Sequence, residues 1–201
     1  IATGTNNVDL PEARKRGIRV TNVSGYGRFT VPQQAFTLIL NLAGQVHRYI
    51  TDVRNGDWAQ APTFTLLRYP TFELAGKTIG IIGFGAIGRG TAEIARGFRM
   101  NVLAHDAFPF EEPPFENVSV DEIIERSDVI SIHAPLTEET RDLFGKDEFR
   151  RMKKTAIIVN TARGGIINEQ ALVWALENGE IAGAGLDVME QEPPVSSSLP
   201  S

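Results

Sequence analysis

Three glycines with a fixed spacing are the residues in this sequence best suited to binding a phosphate group. Gly83, Gly85 and Gly88 form a G-x-G-x-x-G pattern directly after the apolar run 78–82. In this pattern the first glycine permits a tight turn, the second lets the backbone approach a pyrophosphate, and the third lets a helix pack closely on the sheet. The free amides and the dipole of that helix N-terminus favour an anion. A glycine-rich turn can also be only a turn, so the context decides.

An acidic residue follows at the distance expected of a dinucleotide site. Asp106 lies 23 residues after Gly83 and closes a second apolar run, 101–104. An Asp or Glu about 20 residues after the glycines commonly binds the ribose hydroxyls of the adenosine; the alternative is a strand-terminal Asp that caps a loop. A carboxylate repels a 2′-phosphate, and the next charged residues are Glu111 and Glu112 rather than basic ones. The sequence therefore predicts NAD rather than NADP.

The composition argues against several other classes of function. The 201 residues carry a net charge of −5, which argues against nucleic acid as the main partner. No cysteine is present, which excludes disulfides and thiolate metal sites, fits a reducing compartment and makes the cytoplasm the expected location. No run of about 18 apolar residues predicts a membrane span. Because the sequence starts at Ile1 and no signal peptide follows, we expect a piece excised from a longer protein.

Strands and helices are expected to alternate along most of the chain. Apolar runs predict strands at 78–82, 101–104, 129–132, 156–159 and 181–186, and helices are expected to start at the glycine pattern, at Ser119, at Lys146 and at Asn168. Continuous apolar runs between helices suit parallel strands that are covered on both faces. The predicted fold class is therefore α/β, with a doubly wound parallel sheet.

The chain before the first of these strands is organised differently. Asp9 and Glu12 are spaced as a capping pair for a short helix that Gly17 would close. The runs 1–3 and 18–20 predict short strand segments. Two glycines, at positions 25 and 27, then indicate a flexible domain boundary.

A long apolar stretch separates that boundary from the sheet. A capping box that starts at Thr30 predicts one helix to Val53. Residues 57–74 are apolar without a clear period, so we expect them to cover another surface.

Ligands bind such sheets beyond the carboxyl ends of the strands. The informative residues are therefore those just after each strand: 83–88, Asp106, 133–135, 161–165 and 187–193.

Motifs in these positions match one family in order. They are 83–88, 127–137, 160–165 and 186–193, with a further match at 4–10. Through them the sequence resembles the D-2-hydroxyacid dehydrogenase family over nearly the whole chain, and its glycerate dehydrogenase and hydroxypyruvate reductase group in particular. The resemblance implies a Rossmann-type NAD-binding domain over 25–201, truncated before its last strand, and a remnant of the substrate domain at 1–24.

The resemblance also implies an activity, which is reversible hydride transfer between nicotinamide and C2 of a small 2-hydroxy or 2-oxo acid. Arg163 matches the family arginine that binds the substrate carboxylate, and Glu192 matches the glutamate that pairs with the catalytic histidine. Residue chemistry alone allows Arg163 to be a surface charge, and Glu190 and Glu192 to be solvated loop charges. The family register, 29 residues after Arg163, selects Glu192.

The cofactor contacts that the resemblance implies involve every strand end. Asp187 would accept from the nicotinamide carboxamide, and the backbone at Thr161 and Ala162 would hold the same ring. The amides of Ala86 and Ile87 would face the pyrophosphate. The adenosine half would lie near Ala134, Pro135 and Thr140, and Gly83, Gly85, Gly88 and Asp106 complete the set.

The catalytic histidine of the family is expected to be missing. It follows the next strand, and the sequence ends at Ser201 before reaching it. We do not expect His47, His105 or His133 to substitute. This piece is therefore expected to bind NAD but to turn over little or nothing.

The stretch 31–74 resembles the family's dimer-forming region, in which Trp58 would dock on a second copy; the alternative is that it folds back on its own domain.

Two functional alternatives also share the fold. One is a non-catalytic NAD-sensing module of the corepressor type, and the other is phosphoglycerate dehydrogenase.

Overall fold

One parallel sheet organises the chain, and it lies in a computed structural model that describes residue 4 and residues 8–23, 25–108 and 110–193. Its strands are β1 (Thr78–Ile82), β2 (Asn101–His105), β3 (Glu116–Asn117), β4 (Val129–Ile132), β5 (Ile157–Asn160) and β6 (Gly183–Leu186). They lie in the order β3-β2-β1-β4-β5-β6, and every paired neighbour is parallel. This is the strand order of dinucleotide-binding folds, in which the order reverses beside the first strand.

Helices connect and cover these strands. In the described residues they are α1 (Leu10–Lys15), α2 (Gly27–Gly44), α3 (Val46–Arg54), α4 (Ala86–Gly97), α5 (Val120–Arg126), α6 (Lys146–Arg151) and α7 (Glu169–Glu177). None of the helices in the described part of the chain is both long and apolar enough to cross a membrane.

Two apolar cores lie on opposite faces of the sheet. Residues of α2 and α4 form one core with Ile79 and Ile81 of β1, and residues of α5, α6 and α7 form the other with Ile82. The same alternation recurs in β4, where Val129 joins the first core and Ile130 the second. Successive side chains of a strand point to opposite faces, so both faces must be covered by helices. The prediction of a doubly wound parallel sheet is confirmed.

Local capping signals were predicted correctly where the cap is a side chain. Asp9 accepts a hydrogen bond from the Glu12 amide at the start of α1, at 2.9 Å. Ser119 and Glu122 form the reciprocal capping box of α5. Asn168 accepts from the amide three residues later at the start of α7. These polar groups satisfy helix amides that have no intrahelical partner.

The predicted single helix that starts at Thr30 is wrong. The helix begins earlier, at Gly27, and breaks at Gln45, whose φ of 51° and ψ of 34° are left-handed. The Gln45 side chain donates to the carbonyl of Leu42 at 2.9 Å and so closes the end of α2. A non-glycine residue in this conformation has no clear sequence signal, which explains the error.

Two further secondary-structure expectations differ from the structure. Residues 18–20 form no strand, and their exposed side chains have no sheet to join. The short edge strand β3 was not predicted, because two polar residues give no apolar run. The predicted strand end at 1–3 lies outside the described residues.

Candidate functional site

A cleft of about 720 Å³ lies where the carboxyl ends of the central strands meet the N-terminal segment. On the sheet side it is lined by Ile87, His133, Ala134, Pro135, Thr161, Ala162 and Arg163. The facing wall includes Val8, Leu10 and Tyr26. Six residues predicted from the sequence therefore share one cleft: Ile87, Ala134, Pro135, Thr161, Ala162 and Arg163. The other predicted site residues lie outside this lining.

The glycine-rich turn has one open position between two tightly packed ones. A Cβ on Gly83 would lie 2.5 Å from the amide nitrogen of Ala134, and Gly83 has a φ of 91°. A Cβ on Gly88 would lie 2.1 Å from the carbonyl oxygen of Gly83. At Gly85, in contrast, no described residue other than its chain neighbours has an atom within 4 Å of the Cβ position. The backbone is therefore approachable at Gly85, where a diphosphate would need to come close.

The helix that follows this turn has free amides at its start. Gly85 is the N-cap of α4 and gives no side-chain cap, and no acidic residue lies in the first turn. The first amides of an α-helix, here including those of Ala86 and Ile87, point out of its N-terminal end, which begins next to Gly85. A helix N-terminus of this kind suits an anion through its N–H groups and its dipole.

Asp106 is held against the glycine-rich turn. Its Oδ2 accepts a hydrogen bond from the amide of Phe84 at 2.7 Å, and its Oδ1 accepts from the amide of Phe108 at 3.0 Å. A carboxylate offers about four lone-pair sites, so these two bonds orient it and leave acceptor capacity for sugar hydroxyls. The half-buried Asp106 also acts as a loop cap, so both interpretations of the sequence fit the same geometry.

The loop that carries Arg163 is clamped by a residue that sequence reasoning did not single out. Asn160 is 2% exposed. Its Oδ1 accepts from the amide of Ala162 at 3.0 Å, and its Nδ2 donates to the carbonyl of Arg163 at 2.8 Å. The side chain of Arg163 in turn donates to the carbonyl of Ala162 at 2.6 Å. The sequence signal that could have identified Asn160 was its position as a polar residue at the end of an otherwise apolar strand.

The two glutamates near the end of the described chain have different surroundings. Glu190 accepts from the Glu169 amide at 2.9 Å, and its own amide donates to the Glu169 carboxylate at 2.6 Å, which ties the loop to the start of α7. Glu192 is exposed and accepts from the Met189 amide at 2.9 Å. The Glu190 carboxylate is thus bound to the start of another element, whereas the hydrogen bond of Glu192 stays within its own loop.

The Arg163 loop and the Glu192 loop touch each other through Gly164. A Cβ on Gly164 would lie 1.8 Å from the carbonyl oxygen of Met189. Only glycine allows this approach of two backbones. The two predicted catalytic residues therefore lie on loops with a fixed mutual position.

The remaining predicted residues lie around the same sheet edge. The Asp187 amide donates to the Asn160 carbonyl at 3.0 Å, and its carboxylate accepts from Gln34 at 2.9 Å. The Thr140 hydroxyl donates to the Pro135 carbonyl at 2.7 Å and accepts from the Thr137 amide at 2.8 Å. Thr140 therefore closes the loop that carries Pro135.

His133 has a larger structural role than the sequence suggested. Its Nε2 lies 3.0 Å from the Thr91 hydroxyl and 2.9 Å from the Ser131 hydroxyl, and its Nδ1 lies 3.5 Å from the Thr161 hydroxyl. Burial lowers the pKa of His133 to about 4. Burial thus favours the neutral form of the ring. In the described residues, no group of three or more acidic or imidazole side chains is arranged to hold a metal ion.

Comparison with known proteins identifies the family. The model of the NAD-binding domain of D-isomer specific 2-hydroxyacid dehydrogenases matches residues 36–200. The chain belongs to this family. The predicted D-2-hydroxyacid dehydrogenase family and the prediction of an NAD-binding domain are thus confirmed.

Relatives with known names and solved structures agree with this assignment. The chain is 42% identical to a glycerate dehydrogenase of Methylorubrum extorquens over 98% of its own length and 62% of that enzyme's length. It is 44% identical to a glyoxylate reductase of Korarchaeum cryptofilum over 96% of its own length and 58% of that enzyme's length. It is 38% identical to the crystal structure of the TT0316 protein of Thermus thermophilus, with a TM-score of 0.87, over 97% of this chain and 62% of the other. The chain thus spans about three fifths of the length of these relatives.

Proposed function

We propose that the protein carrying this chain is an NAD-dependent dehydrogenase that interconverts a small D-2-hydroxy acid and its 2-oxo acid, of the glycerate and hydroxypyruvate type. When bound, NADH supplies a hydride to C2 of the oxo acid, and the carbonyl oxygen takes up a proton. The observation that carries the proposal is that Arg163 lines the same cleft as Ile87, Ala134 and Thr161. A cation that binds a carboxylate is thereby placed beside the residues assigned to the cofactor.

NAD fits the arrangement of the sheet edge. The open backbone at Gly85 and the free amides of α4 are suited to the diphosphate. Asp106, next to that turn, would accept from the adenosine ribose, and Asp187 at the end of β6 would accept from the carboxamide. Alanine at position 86 replaces a frequent family arginine, so the diphosphate would be held here mainly by the backbone. These residue roles stay predictions.

Arg163 and Glu192 are proposed to act on the substrate. The guanidinium of Arg163 has a planar set of donors, so it can bind the acid's carboxylate with two hydrogen bonds and polarise the C2 carbonyl. Glu192 would orient the histidine that the family uses as the proton donor and would raise its pKa. The glycerate dehydrogenase and glyoxylate reductase relatives support this substrate class.

The test separates cofactor binding from the chemistry. NADH binding to the chain is measured by calorimetry, and reduction of hydroxypyruvate, glyoxylate, pyruvate and phosphohydroxypyruvate is followed by NADH absorbance in the protein that carries the chain. Arg163→Ala should leave NADH binding within about two-fold and lower kcat/KM by about 10²-fold or more, because a bidentate charged contact is lost. Arg150→Ala, an exposed arginine on α6 outside the cleft and outside 31–74, is the matched control.

Each result has a clear consequence. Absence of NADH binding would refute the proposal at its base. Preference for phosphohydroxypyruvate would indicate a phosphoglycerate dehydrogenase. NADH binding without turnover of any of the four acids would favour the NAD-sensing alternative.

We also propose that two copies associate through 31–74. The aromatic and aliphatic side chains there are strongly exposed, with Phe64 at 88% and Leu67 at 86%. The backbone that presents them is nevertheless anchored, since Trp58 donates to the Phe64 carbonyl at 3.0 Å and Arg68 pairs with Asp57 at 2.9 Å. A preformed apolar surface of this kind is typical of protein interfaces.

Sedimentation tests the association. Phe64→Ser combined with Leu67→Ser should convert a dimer to a monomer. Phe108→Ser removes an equally exposed phenylalanine, at 83%, outside the segment and should leave the dimer intact. A monomeric wild-type chain at micromolar concentration would refute the interface.

Cytoplasmic location also stays a prediction, which fractionation of cells that make a tagged protein would test.

A further inference from the structure

Helix α2 lies directly on strand β6, and one stripe of its side chains follows that strand. The Cβ of Leu38 is 3.0 Å from the position a Cβ would take on Gly185, and Leu42 is 3.4 Å from the equivalent position on Gly183. The absence of side chains on these two glycines is what allows α2 to come so close. One helical turn before Leu38, the same stripe reaches the end of β6.

At that end the stripe makes a polar contact. Gln34 Nε2 donates a hydrogen bond to Asp187 Oδ1 at 2.9 Å. Within the described ranges 25–108 and 110–193, nothing else donates to the Asp187 carboxylate, so Oδ2 is available. Gln34 is half-buried and Asp187 is exposed, so the helix side holds the carboxylate and the other side remains accessible.

We infer that Gln34 is a positioning residue for the cofactor's nicotinamide end: it holds one oxygen of Asp187 so that the other accepts from the carboxamide. The inference rests on the proposed role of Asp187. The glutamine side chain is itself a primary carboxamide, so Asp187 already binds the functional group that the dinucleotide would present. A carboxylate can accept from both at once because each oxygen has its own lone pairs.

The same helix also contacts the glycine-rich helix. A Cβ on Gly90 of α4 would lie 2.9 Å from the carbonyl oxygen of Arg28 and 2.9 Å from the ring of Pro32, both in α2. Helix α2 therefore packs against α4, which starts at the proposed diphosphate site. Through Gln34 it also contacts Asp187. It thus contacts elements at both ends of the proposed dinucleotide site.

The experiment compares two ligands that differ only at the nicotinamide end, NADH and ADP-ribose. Gln34→Ala should weaken NADH binding about five-fold, the value of one orienting hydrogen bond, and leave ADP-ribose within about two-fold. Gln34→Glu places a second carboxylate against Asp187 and should weaken NADH by more than about ten-fold, again without an effect on ADP-ribose.

The neighbouring glutamine provides a matched control. Gln33 is exposed on the same turn of α2, so Gln33→Ala and Gln33→Glu make identical chemical changes away from Asp187. Both should bind NADH and ADP-ribose like the wild-type chain. Gln34→Asn keeps the amide on a shorter arm, and a partial effect is expected from it. The ratio of the two dissociation constants within one variant does not depend on the fraction of protein that is folded.

The results separate this inference from the proposed function. Equal weakening of NADH and ADP-ribose in the Gln34 variants would show a purely structural role and overturn the inference. So would Gln34 variants that match the Gln33 controls. A wild-type chain that binds ADP-ribose as tightly as NADH would remove the role of Asp187 and the inference with it, while NAD binding stands. A wild-type chain that binds neither would refute the proposed function itself.

Discussion

Replacement of His133 by glutamine should change how the stability of this protein depends on pH. Burial lowers the pKa of His133 to about 4 from its ordinary value of 6.5. Its hydrogen-bond partners are the hydroxyls of Thr91, Ser131 and Thr161, none of which carries a charge. The folded protein therefore holds a neutral imidazole at pH values where the unfolded chain holds a protonated one.

The sign and size of the effect follow from this difference. Between about pH 6.5 and pH 4 the unfolded state binds more protons, so the free energy of unfolding falls as the pH falls. A difference of about 2.5 pKa units corresponds to at most about 3 kcal/mol, and to about 2 kcal/mol at pH 5. Because the ring lines the cleft, hydration will make the measured value smaller. Above about pH 7 the contribution vanishes.

Urea unfolding at several pH values measures this contribution. At about pH 7.5, His133→Gln should be less stable than the wild type by about 1–2 kcal/mol, because ring contacts and hydrogen bonds are lost. The deficit should shrink by up to about 2 kcal/mol at pH 5, since only the wild type has the buried imidazole. His47→Gln, an exposed histidine on α3, should show no comparable change. A difference between wild type and His133→Gln that stays constant from pH 7.5 to pH 5 would refute the reasoning.

Close packing, an ion pair and a helix cap give three further measurable changes. Gly88→Ala should abolish NADH binding and lower the melting temperature, because its Cβ would lie 2.1 Å from a carbonyl oxygen. At Gly97 no described residue outside its own stretch of helix comes within 4 Å of the Cβ position, so Gly97→Ala should be neutral or stabilising. Calorimetry and thermal unfolding compare the two variants. Asp128→Ala should cost about 1–3 kcal/mol in urea unfolding, because it removes a 3.0 Å contact to Lys153 and leaves a strand amide without its acceptor; an unchanged midpoint would contradict this. Ser119→Ala should cost about 1 kcal/mol through loss of the α5 cap, while Ser119→Asp should retain most of the stability.

The sheet was predictable because its signals are local. Each central strand is a continuous apolar run, and a parallel sheet that is buried on both faces requires such runs. The caps at Asp9, Ser119 and Asn168 were predictable for the same reason, since a side chain within three residues satisfies the helix amide. Because ligands bind at the carboxyl ends of these strands, the region of the candidate site followed from the strand assignment, while the roles of its residues came from the resemblance to the family.

Features that depend on contacts between distant residues were not predictable in this way. The break at Gln45 depends on a backbone conformation that its residue type does not favour. In the sequence, Asn160 is not distinguishable from the other residues of its strand. Its role depends on hydrogen bonds between its side chain and the backbone of Ala162 and Arg163. The burial of His133 depends on Thr91 and Thr161, which lie far from it in the sequence.

The sequence by itself determined the individual strands, the phosphate-binding turn and the resemblance to the family. These features depend on residue types at short fixed spacings along the chain. The tertiary structure decided which glutamate is occupied by a helix end, which glycine of the turn is open, and how α2 reaches Asp187. Those outcomes depend on how closely separate elements approach one another, and the distance of closest approach is set by packing across the fold rather than by any local pattern.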